Sequence, residues 1–370
     1  MHRFAAALLL TLSSFALADG APTPANEAQR PVLDVVFVLD TTGSMGGLLE
    51  GAKQKIWSIA SRLAEGKPTP KVRVGLVAYR DQGDAYVTQV FGLTEDLDAM
   101  YATLRGFRAD GGGDGPEAVQ EALAKAVDGM QWSQTKRAAK MIFLVGDAPA
   151  HDQDAATLFA AAKRAIGKGI VVNGVRCGGD PTTATQFREV ARLADGRFDS
   201  IAQGGGVVAA ATPFDGELAK LNAALMDTAL YAGTREAQAK GEARRLEAKA
   251  LAPSAAADRI GYMAKSGRGG VGASGAGSVG AVDLAAAPEK AAELSEAELP
   301  PAMQKLSKEE RVQLAKQQQQ KRASLEKQIA ELTKKRDAHL ASVAGREKDS
   351  FDARVFESVK AAAAPAGIGY

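Results

Sequence analysis

Residues 32–39 read Val-Leu-Asp-Val-Val-Phe-Val-Leu, apolar at every position but Asp34. A strand with one wet face alternates polar and apolar residues. A run this apolar suits a strand covered on both faces, the usual condition of a parallel sheet sandwiched by helices. The periodicity then switches: Leu48, Leu49, Ile56, Ile59, Ala60 and Leu63 recur at helical spacing. Further strand-like runs lie at 72–79, 141–145 and 170–175, and helical patterns at 97–104, 117–130, 155–166 and 185–193. The resulting order, βα(ββ)ααβαβα, predicts an α/β fold with a doubly wound, mostly parallel central sheet flanked by helices. In such sheets ligands bind beyond the carboxyl ends of the strands.

This pattern sets a domain at 31–231, and the composition changes after it. Residues 232–260 read as a charged, Ala-rich helical extension, 261–285 as a Gly-rich flexible linker, and 286–370 as a helical C-terminal tail. Ser307 and Glu310 form a capping box at the start of the tail's long helix. Leu325, Ile329, Leu332, Leu340 and Val343 place one apolar stripe along it, the pattern of an amphipathic or coiled-coil helix able to self-associate. The formal net charge of +2 gives no drive toward nucleic acid or an anionic membrane. Lys334, Lys335 and Arg336 are interspersed with Glu331 and Asp337, a solvated face. Gly267-x-Gly269-x-x-Gly272 matches a dinucleotide fingerprint but follows no strand, so it is discarded.

The chain opens with Met1-His2-Arg3-Phe4, then an apolar stretch to Leu17, with small residues at Ala16 and Ala18. That order reads as a secretory signal peptide over 1–18, followed by a leader at 19–30 and by no lipid-accepting Cys. No later apolar run approaches the ~20 residues of a membrane helix. The expected location of the mature protein is periplasmic or secreted. Cys177, the only cysteine, ends an apolar strand and excludes an internal disulfide.

The chemistry gathers where the strand-like runs end. Residues 32–39 lead into Asp40-Thr41-Thr42-Gly43-Ser44-Met45, three oxygen-bearing side chains at alternating positions in a tight loop. A lone Asp there would cap the next helix. Two further acidic loops fall at the same expected edge: Gly111-Gly112-Gly113-Asp114-Gly115-Pro116-Glu117, and Val145-Gly146-Asp147. Carboxylates converging in this way repel unless a cation sits among them. Oxygen donors without a Cys or His cluster point to Mg²⁺, Mn²⁺ or Ca²⁺, and an open site that keeps waters favours Mg²⁺. The hydroxyls of Thr42 and Ser44 coordinate without cancelling charge, which leaves the ion able to accept one more carboxylate.

The Asp-x-Thr-x-Ser loop, with Asp147 ending a later strand, resembles the von Willebrand factor A family, whose usual motif is Asp-x-Ser-x-Ser. The second loop is similar to the Asp-Ser-Pro-Glu loop of integrin β-subunit domains, and its wording also resembles A-type domains attached to some alpha-kinases. The resemblance covers about 31–231. It implies a metal-ion-dependent adhesion site of Asp40, Thr42, Ser44, Asp114, Glu117 and Asp147, binding Mg²⁺ or Mn²⁺. Glu117 would be a direct ligand with Thr42 and Ser44, while Asp40 and Asp147 would hold the ion's waters. Asp81 with Asp114 matches a neighbouring Ca²⁺ site, although Gly112 stands where that site has an Asn. The implied function is non-enzymatic: a bacterial envelope module capturing a carboxylate of a protein partner.

A metal-assisted hydrolase using Asp40, Glu117 and His151 is the competing reading, since His151 follows the third loop and could act as a base. No Gly-x-Ser-x-Gly elbow, Walker A loop or His-Glu-x-x-His helix accompanies it. Intact-mass measurement of the exported protein is expected to place its N-terminus at Asp19. A retained Met1 would refute the signal-peptide reading.

Overall fold

The computed structural model describes residues 30–113, 115–204, 211–267, 280–343 and 351–370. Its centre is a sheet of β1 (Val32–Asp40), β2 (Lys71–Tyr79), β3 (Thr88–Thr94), β4 (Ala138–Gly146), β5 (Ile170–Cys177) and β6 (Phe198–Ile201). The strand order is β3-β2-β1-β4-β5-β6, parallel except for the antiparallel edge strand β3. The inner strands are buried on both faces. On β1, Leu33, Val35 and Leu39 join one core and Val36 and Val38 the other; on β4, Met141, Phe143 and Val145 oppose Ile142 and Leu144. This two-sided burial is the physical origin of the near-continuous apolar runs in the sequence.

One face is covered by α1 (Gly46–Leu63) and α2 (Leu97–Gly106), the other by α3 (Val119–Gly129), α4 (Ala155–Gly167) and α5 (Pro181–Leu193). The crossover through α1 runs from β1 outward to β2, and the one through α4 runs from β4 the opposite way to β5. The connections that leave the neighbouring strands β1 and β4 therefore run in opposite directions, which makes their carboxyl ends the switch point of the fold, where a crevice forms. Both edge strands are only partly buried and carry polar residues, Thr88, Gln89 and Thr94 on β3 and Asp199 and Ser200 on β6.

The rest of the chain wraps this domain. It comprises α6 (Asp215–Met226), a two-stranded ribbon of β7 (Tyr231–Ala232) and β8 (Val282–Asp283), α7 (Arg235–Lys249), α8 (Pro253–Ser266), α9 (Lys308–Val343) and α10 (Phe351–Ala363). Several expectations are corrected here. Residues 261–266, assigned to a linker by composition, complete α8, where Tyr262 and Met263 are buried in the α1-side core and Gly261 packs against Thr333 and Ser61. Residues 282–283, at the linker's other end, form β8. The linker's remaining tract, 268–279, lies outside the described residues.

Part of the tail stripe packs within the chain. Ile329 is buried and Leu325 and Leu332 pack beside it, in a cluster shared with α6, α7 and α8. α9 also buries Arg322, Thr333 and Arg336, polar and charged side chains that an apolar stripe does not reveal. Arg336 bonds Asp215 at 2.7 Å and Asp258 at 2.6 Å, and Arg322 pairs with Asp283 at 2.7 Å. The last helix, α10, returns to the first domain. Val355, Val359 and Ala363, with Ala366 and Ile368 beyond it, complete the core on the α1 side. Gly369 pairs with Lys67 through two backbone hydrogen bonds, and the Tyr370 hydroxyl donates to Leu63 O.

Arg259 on α8 is the tightest tie between the two parts. It is fully buried, forks onto both carboxylate oxygens of Asp98 on α2 at 2.8 Å, and donates to Asn222 Oδ1 on α6 at 2.7 Å. Removing one partner of such a group strands the others without donors, which costs about 3–5 kcal/mol. Arg259→Ala is expected to lower urea-unfolding stability by that order. A change under about 1 kcal/mol, the scale of an exposed pair, would contradict the clamp.

Candidate metal centre

Three loops meet at the carboxyl edge of β1 and β4. The first loop leaves β1 at Asp40 and winds one 3-10 turn, Gly43–Met45, into α1. The second, 110–117, is laced to it through the backbone: Asp110 N–H donates to Thr41 O at 3.1 Å and Gly43 N–H to Gly111 O at 3.2 Å. Gly111 and Gly112 take φ of +77° and +80°, conformations that other residues adopt only with strain. Tightness adds to the demand, since a Cβ at Gly112 would lie 3.1 Å from Glu117 Oε1 and 3.2 Å from Thr42 Cβ. Glu117 itself is fixed by its N–H to Pro149 O at 2.8 Å and by bridge pairing with Ala150, next to the third loop. That third loop begins at Gly146, where a Cβ would sit 3.2 Å from Asp40 Oδ2.

The sequence-derived residues Thr42, Ser44, Glu117 and Asp147 line one open cleft, with Asp40 at its floor. Asp114 lies outside the described residues. Asp40 is fully buried, and its Oδ1 accepts from Thr42 N–H at 2.9 Å and Thr42 Oγ1 at 2.7 Å. The Thr42 and Ser44 hydroxyls stand 3.4 Å apart. Three carboxylate oxygens here are buried without a hydrogen-bond partner: Asp40 Oδ2, Glu117 Oε2 and Asp147 Oδ1. No Lys or Arg is among the described residues lining the cleft. Buried polar atoms in native proteins are otherwise satisfied, so orphaned anionic oxygens facing two hydroxyls fit a hard divalent cation. Among the described residues no three His, Cys, Asp or Glu side chains gather tightly enough to cage an ion by themselves. The donor set is thus one of mixed hydroxyls and carboxylates with room for water.

The electrostatics carry the mark of this crowding. Burial pushes the Asp40 carboxyl up to about 7; hydrogen bonds from Thr42 oppose the rise and the Asp147 charge adds to it. Burial also raises Glu117 to about 9, with Asp40, Asp81, Asp84 and Asp147 reinforcing the rise. Burial, reinforced by the Asp40 and Asp147 charges, lifts the Tyr79 hydroxyl and the buried, free Cys177 thiol.

Asp81 and His151, also singled out in the sequence, are brought together beside the cleft. His151 Nε2 lies 2.8 Å from Asp81 Oδ1, and neither residue lines the cleft. The candidate base is therefore engaged with a carboxylate and not turned toward the orphaned oxygens. Asp81 also has its backbone N–H bonded to Asp84, whose carboxylate receives Gly112 N–H, so the suggested second-cation position is threaded by protein hydrogen bonds. Sequence reasoning missed Asp84, and it missed Gln203 on the loop after β6, whose amide bonds Asp147 Oδ2 and Ser44 O. Position after a sheet strand was the only available signal for Gln203, and β6 was too short to be recognised.

Residues 34–210 match the family model described as von Willebrand factor A domain. The match supports a von Willebrand factor A-type domain over this part of the chain. Among curated proteins, the chain is 31% identical over 99 residues to an ariadne-like RING finger protein of Acanthamoeba polyphaga mimivirus, covering 27% of this chain and 10% of that protein. It is 36% identical over 97 residues to von Willebrand factor A domain-containing protein 7 of Homo sapiens, covering 26% and 10%. The matches thus span about a tenth of the length of these curated relatives. Of solved structures, the SpRpn10 VWA domain aligns with TM-score 0.37 and 16% identity over 47% of this chain and 89% of that one. Proximal thread matrix protein 1 from the mussel byssus, with a zinc-occupied MIDAS motif, aligns with TM-score 0.38 and 15% identity over 46% and 42%.

The raised carboxyls set a pH dependence for the metal-free protein. Both groups hold protons in the folded chain above the ordinary value of about 4 that they have unfolded. Stability is thus fully present below about 4 and is lost as pH rises through about 7 for Asp40 and about 9 for Glu117. Denaturation in EDTA should show stability falling from pH 5 to pH 9, and Glu117→Gln should flatten the upper part. A flat profile in wild type would contradict the crowded-carboxylate geometry.

Proposed function

We propose that the chain is a metal-ion-dependent protein-binding module of a bacterial envelope, exported by its first 18 residues and acting without catalysis. The observation that carries this reading is the set of three buried, unpartnered carboxylate oxygens of Asp40, Glu117 and Asp147 beside the Thr42 and Ser44 hydroxyls. The family match over 34–210 supports it. Thr42, Ser44 and Glu117 would hold Mg²⁺ or Mn²⁺ directly, and Asp40 and Asp147 would hold its waters. The ion supplies an electrophilic contact for a carboxylate presented by a partner. This chain's own part is to fix the loops and limit the direct anionic donors to one, so that the ion's charge is not spent internally. The open cleft, lined by Gly113, Gly115 and Pro116 on one side and Ala148 and Pro149 on the other, is shaped for a protruding side chain.

Thermal unfolding across a Mg²⁺ titration tests the reading. Wild type should be stabilised by mass action, by about 2.7 kcal/mol when the ion is at ~100 times its dissociation constant. Asp40→Ala should lose that response, and capture of an envelope partner should be lost in EDTA. An equal shift in wild type and mutant, or none in wild type, would sink the proposal.

A further inference from the structure

The two aspartates of the cleft share a pattern that a simple acidic cluster does not have. Asp40 has one oxygen, Oδ1, pinned by two protein donors from Thr42, and its other oxygen buried without a partner. Asp147 repeats this arrangement with a different donor: Oδ2 receives the side-chain amide of Gln203, and Oδ1 is buried without a partner. Each carboxylate is thereby locked in one rotation with a single oxygen presented.

Gln203 belongs to none of the three acidic loops. It lies at the carboxyl end of β6, two residues past Ile201, and it reaches across the sheet edge to both metal loops. Its Nε2 donates to Asp147 and, at 3.2 Å, to the backbone oxygen of Ser44. Its Oε1 packs against Gly178, whose φ of +71° and lack of a side chain leave room for it; a Cβ there would collide with the amide. The adjoining Gly204 lies close to the first turn of α1, since a Cβ at Gly47 would lie 3.2 Å from Gly204 Cα. One side-chain amide thus connects the loop carrying Ser44 to the loop carrying Asp147 and is seated on the β5–α5 turn.

We infer that Gln203 is a positioning residue for the divalent cation: its amide orients the Asp147 carboxylate and fixes the spacing between the Ser44 and Asp147 loops. This rests on the metal-site reading above. Partners that orient metal-holding carboxylates without touching the ion typically change affinity by about 10–100-fold when removed. Only a donor suffices, because the group it faces is an anion.

The test is calorimetric titration of the whole chain with Mn²⁺, alongside unfolding in EDTA, for wild type, Gln203→Ala and Gln203→Glu. Gln203→Glu keeps the shape but replaces the donor with an anion. Both variants should bind Mn²⁺ about 10–100-fold more weakly than wild type; metal-free stability should change little in Gln203→Ala, because the residue is exposed, and fall in Gln203→Glu, whose added charge faces Asp147. Wild-type affinity in either variant would overturn the inference. So would a drop in metal-free stability with unaltered Mn²⁺ affinity, which would assign Gln203 a purely structural role. Absence of Mn²⁺ binding in wild type would instead refute the metal site itself and is distinguishable from both.

Discussion

One oxygen of each of three carboxylates, from Asp40, Glu117 and Asp147, is withdrawn from water at one edge of a mostly parallel sheet, and no cationic residue is among the described residues lining their cleft. Burial of ionisable acids is unfavourable unless they keep their protons or meet a positive charge. The loop architecture follows from bearing that penalty. Thr42 surrenders its N–H and hydroxyl to Asp40, Gly111 and Gly112 adopt left-handed backbone, and Glu117 is stitched to Ala150. Each device uses local hydrogen bonding to hold a group that electrostatics alone would expel. A scaffold under such tension needs rigid strands beneath it, and the two-sided cores of β1 and β4 provide them.

Rigidity is also drawn from far along the chain. The region beyond 231 contributes Tyr262 and Met263, and later Val355, Val359, Ala363 and Ile368, to the core on the α1 side. The C-terminal half of the helix that begins at the first metal loop is thus packed by residues from the later part of the chain, with Trp57 against Tyr262 and Arg62 over Phe356. Three buried arginines, Arg259, Arg322 and Arg336, fasten these layers through carboxylates and carbonyls. Ion pairs of this kind add geometric specificity to what small apolar residues pack only loosely. The many alanines in this region bury little area each, so directional bonds carry more of the fit.

Much of the sheet domain was legible in the sequence because its signals are local. Two-sided strands read as unbroken apolar runs, and the helices between them show their period. The ligand candidates were legible for a related reason: oxygen-bearing residues immediately after a buried strand have few structural uses there. The edge strands β3 and β6 were harder to read because half-exposed strands carry polar residues such as Gln89 and Ser200. The fate of the tail was not legible. Leu325 and Ile329 make a stripe whether the partner is another helix of the same chain or a second copy, and the buried Arg336 looks like any surface arginine until Asp215 and Asp258 are brought to it. Residues 261–266 were misread since Gly261 and the glycines after it suggest flexibility, whereas Gly261 lies within α8, facing Thr333 and Ser61. Gln203 depends wholly on tertiary placement.

The most direct measurement is a crystal structure of the full chain grown with Mn²⁺, located by its anomalous scattering. A single strong peak is expected in the cleft, bonded to oxygens of Thr42, Ser44 and Glu117 at about 2.1 Å, the distance typical of small octahedral divalent ions. Asp40 and Asp147 should each be joined to it through a water. A saturated crystal with no peak in the cleft, or with the ion bound only elsewhere, would contradict the assignment of this edge of the sheet as a metal centre.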